Sequence, residues 1–213
     1  MSRETRAMQD DDSANPGMLS VLEGEALWAS NGCAGCHSSL KGVAARYPAV
    51  DDKRRLLNLE SRINLCRVEQ QKAPAFPYEG RELLALSAYI GNQSRGMPIQ
   101  VGVDEKSKAH VEAGKAAFRR RQGQVNLACM SCHEENAGKR LAGSVITQAH
   151  PTGYPLYRLE WQALGSLQRR LRGCLTGIRA EAPGYGAPEL VELELYLMWR
   201  ANGMKLETPA VRP

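Results

Sequence analysis

The sequence predicts an all-α fold in which two similar helical modules follow one another along the chain. Apolar residues recur at spacings of three and four, the period of a helix with one buried face. These patterns appear twice in the same order, whereas the alternation typical of strands is nearly absent. With 213 residues, the chain is long enough for two cores of about 100 residues each.

The first helix of each half is predicted from its start signal or its apolar face. Ser20–Glu23 has the form of a capping box, which predicts that a helix opens there. In the second half, Val111, Gly114 and Phe118 lie on one face of a helix. The segments that begin at Gly24 and Gly114 resemble each other, so we assign the two helices to equivalent positions.

A stripe of three apolar residues and a cysteine predicts a second helix in each half. The offsets are 0, 3, 7 and 10 in both copies, which lie 108 positions apart, and an arginine precedes each cysteine by one helical turn. Each stripe would turn its cysteine toward the interior of its own module. The members are Leu56, Leu59, Ile63 and Cys66 with Arg62, and Leu164, Leu167, Leu171 and Cys174 with Arg170.

The last helix of each half completes the repeat, because its apolar positions match at a shift of 107. The turn-rich segment 91–108 separates the halves as a linker. We therefore expect a tandem duplication with long loops: a first module at residues 1–98, with an arm over about 1–19, and a second at residues 99–213. The matched positions are Leu83, Leu86 and Ile90 with Leu190, Leu193 and Leu197.

Four of the six cysteines belong to two copies of a C-x-x-C-H motif. Cys33, Cys36 and His37 form the first copy, and Cys129, Cys132 and His133 form the second. Two thiols at this spacing suit thioether bonds to the vinyl groups of a haem, and the histidine suits its iron. Zinc or a redox disulfide is the alternative for C-x-x-C alone, but the histidine in both copies favours haem. We expect two covalently bound c-type haems in two cytochrome-c-like modules.

The two remaining cysteines are candidates for the second axial ligand of each iron. Residues 38–80 contain neither histidine nor methionine, and residues 134–187 contain His150 but no methionine. By elimination we expect His/Cys ligation, with Cys66 and Cys174 as thiolate ligands that lower the reduction potential. The alternatives are a disulfide between these cysteines, two inert buried thiols, or ligation of the first iron by Met97.

Cationic side chains are concentrated around Cys174. Arg170 precedes it by four positions and shares its helix face. Such a run suits a solvated helix face or clamps on haem propionates, but guanidinium groups also hold tetrahedral oxyanions and favour a thiolate nearby. The second module is therefore the better candidate for oxidative sulfur chemistry. The cationic residues are Arg169, Arg170, Arg172, Arg179 and Arg200.

Composition and charge exclude several classes of function. The net charge of +5, from 28 Lys+Arg against 23 Asp+Glu, is well short of a nucleic-acid-binding composition. The apolar runs are too short for membrane insertion. Residues 1–12 lack the apolar core of a signal peptide. Because c-type haem is attached outside the cytoplasmic membrane, we expect a periplasmic protein whose leader was removed and replaced by a start methionine.

Six longer segments of the sequence form a pattern that is more specific than the C-x-x-C-H motif. They are residues 63–67 (INLCR), 93–98 (QSRGMP), 174–181 (CLTGIRAE), 185–189 (YGAPE), 194–197 (ELYL) and 206–212 (LETPAVR). Together they resemble the SoxA family, the dihaem A subunits of the Sox-system cytochrome. The resemblance extends over nearly the whole chain from about Leu19, and it is far more specific than C-x-x-C-H.

The resemblance implies a periplasmic heterodimer with SoxX, a monohaem cytochrome c subunit. It implies an L-cysteine S-thiosulfotransferase that oxidatively joins thiosulfate to a cysteine of the carrier protein SoxYZ, with electrons leaving through haem to a downstream cytochrome c. In that family the cysteine matching Cys174 is both haem ligand and active-site residue and can carry a persulfide sulfur. The arginine matching Arg170 belongs to the same site, and Arg179 and Arg200 are carried over as further site residues.

Two rival functions remain open from the sequence. One is a plain dihaem electron-transfer cytochrome with no substrate site. The other is a thiosulfate dehydrogenase that forms tetrathionate, which would need no carrier protein.

Overall fold

The structure is a computed structural model that describes residues 1–213, with eight α-helices and seven strands of two or three residues. The strands form only three small sheets, β1–β2, β3–β4 and β6–β5–β7, so the predicted all-α class is confirmed. No helix has the length and apolar character needed to cross a membrane. The helices are α1 (Arg3–Asp10), α2 (Gly17–Ser30), α3 (Leu59–Glu69), α4 (Arg81–Asn92), α5 (Lys108–Arg119), α6 (Cys129–His133), α7 (Leu167–Gly177) and α8 (Pro188–Arg200). The strands are β1 (Ala49–Val50), β2 (Leu56–Leu57), β3 (Arg140–Leu141), β4 (Ser144–Val145), β5 (Leu156–Arg158), β6 (Ala163–Gly165) and β7 (Val211–Arg212).

The first and last helices of each module cross at a glycine. Helix α2 packs on α4, and α5 packs on α8. A Cβ atom on Gly24 would overlap the backbone oxygen of Ala85, and one on Gly114 would overlap that of Glu192. Glycine at these positions therefore lets the helix backbones touch, and the predicted equivalence of the two helix pairs is confirmed.

Helix α2 begins three residues before the predicted start. Its first residue is Gly17, so the capping box predicted at Ser20–Glu23 is wrong as a helix start. The Asn15 side chain accepts a hydrogen bond from the Gly17 N–H (2.9 Å) and donates one to the Pro209 carbonyl (2.9 Å). A contact with the distant C-terminal segment therefore fixes the turn from which the helix starts.

The two cysteine-bearing helices also begin at equivalent positions. Helices α3 and α7 follow the cap residues Asn58 and Ser166. The side-chain oxygen of each accepts a hydrogen bond from the backbone N–H of the residue three positions later (2.9 and 3.1 Å). The first members of the predicted stripes, Leu56 and Leu164, lie in strands β2 and β6. The repeat is thus real, but its helical part is one turn shorter than the stripe.

The segments that follow α4 and α8 pair with each other in a two-fold arrangement. Residues 96–99 run antiparallel to residues 203–206, their equivalents at a shift of 107. The rings of Tyr78 and Tyr185, also equivalents, stack with centroids 6.3 Å apart. The Gly96 N–H donates to the Leu206 carbonyl (2.8 Å), and the Ile99 N–H donates to the Met204 carbonyl (2.9 Å). In the reciprocal bonds, the Gly203 N–H donates to the Ile99 carbonyl (2.9 Å), and the Leu206 N–H donates to the Met97 carbonyl (2.9 Å).

The modules also meet around a cavity of about 60 Å³. Tyr47 and Tyr154, equivalent residues at a shift of 107, both line it. Glu194 of α8 reaches across and accepts hydrogen bonds from the Asn58 side-chain amide at 3.1 and 3.3 Å. Burial raises the pKa of Glu194 to about 8; the charge of Glu60 adds to the rise, and hydrogen bonds oppose it.

The N-terminal arm packs on the C-terminal segment of the second module, and Arg95 of the first module also donates to the Gln9 carbonyl of the arm at 2.9 Å. Helix α1 contacts β7, and Arg6 donates to the Glu207 carboxylate at 2.7 Å. Thr152 Oγ1 donates to the other carboxylate oxygen of Glu207 at 2.7 Å. Burial opposes ionisation of Glu207, but these hydrogen bonds and the charge of Arg212 lower its pKa to about 2. The carboxylate therefore ties the arm to the C-terminal segment.

Candidate functional site

The second C-x-x-C-H motif forms the short helix α6, and this helix orients its histidine. Nδ1 of His133 lies 2.7 Å from the carbonyl oxygen of Thr147. With Nδ1–H donating to that oxygen, Nε2 keeps a free lone pair that is suited to an iron ion. Burial lowers the pKa of His133, and the charges of Arg170 and Arg200 lower it further, so the ring is neutral at pH 7.

Each helix cysteine affects the pKa of the first cysteine in the motif of its own module. Burial raises the pKa of Cys129 to about 11, and the neighbouring Cys174 adds to the rise. In the first module, burial likewise raises the pKa of Cys33, with a further contribution from Cys66. None of the six cysteines forms a disulfide. Each helix cysteine is thus associated with the motif of its own module and not with the other helix cysteine, as the His/Cys hypothesis requires.

These residues fit a c-type haem better than a zinc ion. No group of three or more His, Cys, Asp or Glu side chains lies together, so the donor set of a four-ligand zinc site is not assembled. A haem iron needs only one protein ligand on each side of the porphyrin. Arg200 offers a buried Nη1 with no hydrogen-bond partner, a donor that suits a propionate or another anion.

The first motif has different surroundings. Residues Cys33–Gly35 form a single 3₁₀ turn instead of an α-helix. The ring of Trp28, from α2, lies tilted against His37 (centroids 5.5 Å apart) and against Tyr89 (6.1 Å). Arg67 lies over the ring of Phe76 at 3.9 Å. This site is lined by aromatic rings and has no equivalent of Arg200, whose repeat position holds Gln93.

Two of the predicted arginines converge on the second site. The charges of Arg170 and Arg200 both act on His133. The Arg170 guanidinium forms no hydrogen bond or ion pair with another residue, whereas Arg200 lies 3.6 Å from Glu134 and over the ring of Phe118 (4.8 Å). Both therefore retain N–H donors that are free to bind an anion beside Cys174.

The other predicted arginines have structural partners or lie apart. Arg169 lies over the ring of Trp161 (4.3 Å), and Arg172 donates to the Ala182 carbonyl (3.2 Å). Arg179 has a φ of +56° just beyond the end of α7, and its guanidinium forms no hydrogen bond or ion pair. The structure therefore brings Arg170 and Arg200 together with the motif, but not Arg179.

Tyr154 is a candidate site residue that sequence reasoning missed. Burial raises its pKa to about 12; the charge of Arg170 opposes the rise and that of Cys174 adds to it. In the first module, burial raises the pKa of Tyr47, and the charge of Arg62 opposes the rise. The Tyr-Pro pairs at 47–48 and 154–155, 107 positions apart, are the signal that could have revealed this third element of the repeat.

The extra residues of the second module lie beside its histidine. His133 and Tyr154 are 21 positions apart, whereas His37 and Tyr47 are 10 apart. The residues between His133 and Tyr154 include the exposed β3–β4 hairpin and Thr147, whose carbonyl oxygen lies 2.7 Å from Nδ1 of His133. The longer loop thus contributes directly to the second site.

The other candidate ligands have different neighbours. The thioether of Met97 packs against Gly42, with Cε 3.2 Å from the position of a Cβ on that glycine. Burial lowers the pKa of His150, and the charge of Arg200 contributes. His150 therefore lies at the edge of the second site, near the guanidinium of Arg200.

Comparisons with known proteins give a consistent result. A model of the SoxA/TsdA cytochrome c domain family matches residues 23–99 and 113–206, one part for each copy of the repeat. The L-cysteine S-thiosulfotransferase subunit SoxA of Pseudaminobacter salicylatoxidans is 40% identical over 98% of this chain and 77% of its own. That of Rhodovulum sulfidophilum is 35% identical with the same coverage. The crystal structure of SoxXA from P. pantotrophus matches with 32% identity and a TM-score of 0.95, covering 100% of this chain and 84% of that one.

Proposed function

The chain belongs to the SoxA/TsdA cytochrome c family, and on this premise we propose that it is the catalytic subunit of an L-cysteine S-thiosulfotransferase. Its partner is a monohaem SoxX subunit, the complex is periplasmic, and the acceptor is a cysteine of the SoxYZ carrier. Two c-type haems are attached through Cys33 and Cys36, and through Cys129 and Cys132. The iron ligands are His37 with Cys66, and His133 with Cys174.

The overall reaction joins two sulfur atoms and releases two electrons. A carrier thiolate and thiosulfate become a carrier cysteine that bears an –S–SO₃⁻ group, with one new S–S bond between the cysteine sulfur and the sulfane sulfur. A c-type haem held by Cys129, Cys132 and His133 would supply one-electron redox chemistry at this site. The electrons then leave through the SoxX subunit to a downstream cytochrome c.

Cys174 and Arg170 perform the sulfur chemistry. The Cys174 thiolate forms a bond to the sulfane sulfur of thiosulfate as two electrons leave, which gives Cys174–S–SO₃⁻. The carrier thiolate then attacks the sulfane sulfur, the bond to Cys174 breaks, and Cys174 returns as a thiolate. Arg170, one turn away on the same helix face, holds the sulfonate oxygens through paired N–H donors.

The observation that carries this proposal is the convergence of unpaired cationic donors on one motif only. The charges of Arg170 and Arg200 both lower the pKa of His133. The Arg170 guanidinium forms no hydrogen bond or ion pair, and Nη1 of Arg200 is buried without a hydrogen-bond partner, while its Nη2 lies 3.6 Å from Glu134. The first module has Arg62 at the repeat position of Arg170 but Gln93 at that of Arg200. We assign the sulfonate to Arg170 and a haem propionate or the sulfonate to Arg200. Arg179 stays a prediction without a contact that supports it.

The test compares Cys174→Ala with Cys66→Ala in the reconstituted complex, with haem content checked by intact-protein mass. Removing a nucleophile costs at least about a thousandfold in turnover, so we expect Cys174→Ala to abolish carrier-dependent thiosulfate consumption and Cys66→Ala to retain most of it. Full activity of Cys174→Ala would refute the mechanism. Tetrathionate formed without SoxYZ would instead identify a thiosulfate dehydrogenase. If the wild-type complex consumed no thiosulfate with or without SoxYZ, the protein would be a plain electron-transfer cytochrome.

A further inference from the structure

The residue after the stacked tyrosine differs between the two modules. Tyr78-Glu79 and Tyr185-Gly186 are equivalents at a shift of 107. Both second residues have left-handed backbone, with φ of +60° at Glu79 and +77° at Gly186. Glycine adopts this conformation freely, whereas a residue with a Cβ is strained in it. The first module therefore keeps a glutamate where glycine fits better.

The Glu79 carboxylate crosses to the second module and binds the start of α7. Its Oε1 accepts the backbone N–H of Ser166 at 3.2 Å, and its Oε2 lies 3.9 Å from Nη1 of Arg169. Only 17% of the side chain is exposed. A carboxylate at this end of a helix also interacts favourably with the helix dipole. Glu79 thus contacts the helix that carries Cys174 through both of its oxygen atoms.

Ser166 transmits this contact to the site. Its side chain accepts the N–H of Arg169 (3.1 Å), and its carbonyl accepts that of Arg170 (3.4 Å), the first turn of α7. Arg169 is held on its other side by the ring of Trp161 at 4.3 Å. Cys174 follows Arg170 by one helical turn. A change in the position of Glu79 would therefore shift the first turn of α7, and with it Arg170 and Cys174.

No equivalent contact runs from the second module to helix α3 of the first. Gly186 has no side chain that could reach the cap of α3, and Asn58 at that cap is instead bonded by Glu194 from α8. A Cβ on Gly186 would come within 2.8 Å of the Tyr78 hydroxyl, so this position cannot hold a glutamate without displacing the stacked ring. The link through Glu79 runs only from the first module to the helix of the second site.

We propose that Glu79 is a positioning residue for the Cys174 site, supplied by the first module. Its contact with Ser166 and Arg169 fixes the first turn of α7 and thereby the geometry of Arg170 and Cys174. This gives the first module a role in sulfur transfer that does not depend on its own haem. The consequence for catalysis rests on the proposed function of Cys174, whereas the contact itself does not.

The test uses two substitutions of Glu79 and one control in the SoxX complex. Glu79→Gly removes the carboxylate and suits the left-handed backbone, so the fold is retained. Glu79→Gln keeps an oxygen that can accept the Ser166 N–H but loses the charge that attracts Arg169. Glu82→Gln is the matched control, because Glu82 is exposed in the first turn of α4 and makes no side-chain hydrogen bond or ion pair.

The first readout is amide hydrogen exchange over residues 166–170. The loss of a hydrogen bond to a charged group corresponds to about a tenfold change in an opening equilibrium, so we expect about tenfold faster exchange in Glu79→Gly. We expect a smaller increase in Glu79→Gln and no change in Glu82→Gln. Unchanged exchange in Glu79→Gly would overturn the proposal.

The second readout separates positioning from a purely structural contact. We expect Glu79→Gly to raise the KM for thiosulfate and to broaden the EPR signal of the iron bound by Cys174, with partial rescue in Glu79→Gln. Faster exchange with unchanged KM and EPR signal would show that Glu79 only stabilises the interface, and would also overturn the proposal. If Cys174→Ala is fully active, the proposed function fails, but the exchange result still decides whether Glu79 fixes α7.

Discussion

Arg170 and Arg62 are equivalent residues in two modules with different surroundings, and they allow a matched test at the scale of one residue. Lysine keeps the charge of Arg170 but loses the planar pair of N–H donors that the proposed mechanism assigns to the sulfonate. We expect Arg170→Lys to raise the KM for thiosulfate about tenfold, the effect of one charge-assisted hydrogen bond, with a smaller change in kcat. Steady-state kinetics with SoxYZ measures both constants.

Arg62→Lys is the control for that substitution. Because the first module has Gln93 in place of Arg200, we expect no change in either constant. An equal rise in the KM for thiosulfate in both variants would show that these arginines serve the haem environment. An unchanged KM in both would contradict the assignment of the sulfonate to Arg170.

At this scale, the covalent chemistry could be predicted and the cross-module contacts could not. The spacing of Cys129, Cys132 and His133 reports a local requirement that any cytochrome c motif must meet. Tyr154 and Glu79 act through residues that are distant in sequence, so only the tertiary structure shows what they contact. The repeated Tyr-Pro pair was a usable signal for Tyr154, whereas nothing in the sequence marked Glu79.

The helix crossings provide a prediction at the scale of elements. A methyl group added to Gly24 or Gly114 would overlap a backbone oxygen of the facing helix, which cannot move aside as a side chain can. We expect Gly24→Ala and Gly114→Ala each to lower the free energy of unfolding by about 2–3 kcal/mol, as overpacked core substitutions do. Denaturant titration followed by circular dichroism measures this loss.

Exposed neighbours on the same helices provide the controls. Glu25→Ala and Glu112→Ala add no atoms to the crossings, so we expect changes within about 0.5 kcal/mol. A Gly24→Ala or Gly114→Ala variant as stable as its control would mean that the helices separate at little cost, contrary to their close backbone contact.

The elements themselves were predictable where a helix buries an apolar face. Helices α4, α5 and α8 match their predicted patterns because their periodicity reflects their own packing. The start of α2 was missed because Asn15 bonds the carbonyl of Pro209, far along the chain. Leu56 and Leu164 continue the helical spacing, but backbone pairing in β2 and β6 takes precedence there.

At the scale of the whole molecule, the carboxyl group of Glu194 makes the joint between modules sensitive to pH. Its pKa of about 8 in the folded state is above the ordinary value of 4.5. The folded protein therefore holds a proton that the unfolded chain releases, and stability falls as pH rises from 4.5 to about 8 and then levels. We expect Glu194→Gln to remove on the order of 2 kcal/mol of this decline.

Unfolding curves measured from pH 5 to pH 9 test this expectation. Glu189→Gln, an exposed substitution on the same helix, should leave the slope unchanged. Glu207 acts in a separate window, because its pKa of about 2 gives stability that is present above pH 4.5 and lost as pH falls through 2. An identical slope for wild type and Glu194→Gln above pH 5 would contradict the assignment.

The reciprocal pairing of residues 96–99 with residues 203–206 has an evolutionary consequence. Such exchange of equivalent bonds is the mark of a two-fold interface between identical subunits. In a symmetric homodimer every substitution appears at both sites at once. Once both copies belong to one chain, each can change alone, which permits Glu79 opposite Gly186, Gln93 opposite Arg200, and a longer loop in one copy only. The two-fold pairing therefore persists in a chain whose two copies differ, and the proposed function assigns support to one copy and the reactive centre to the other.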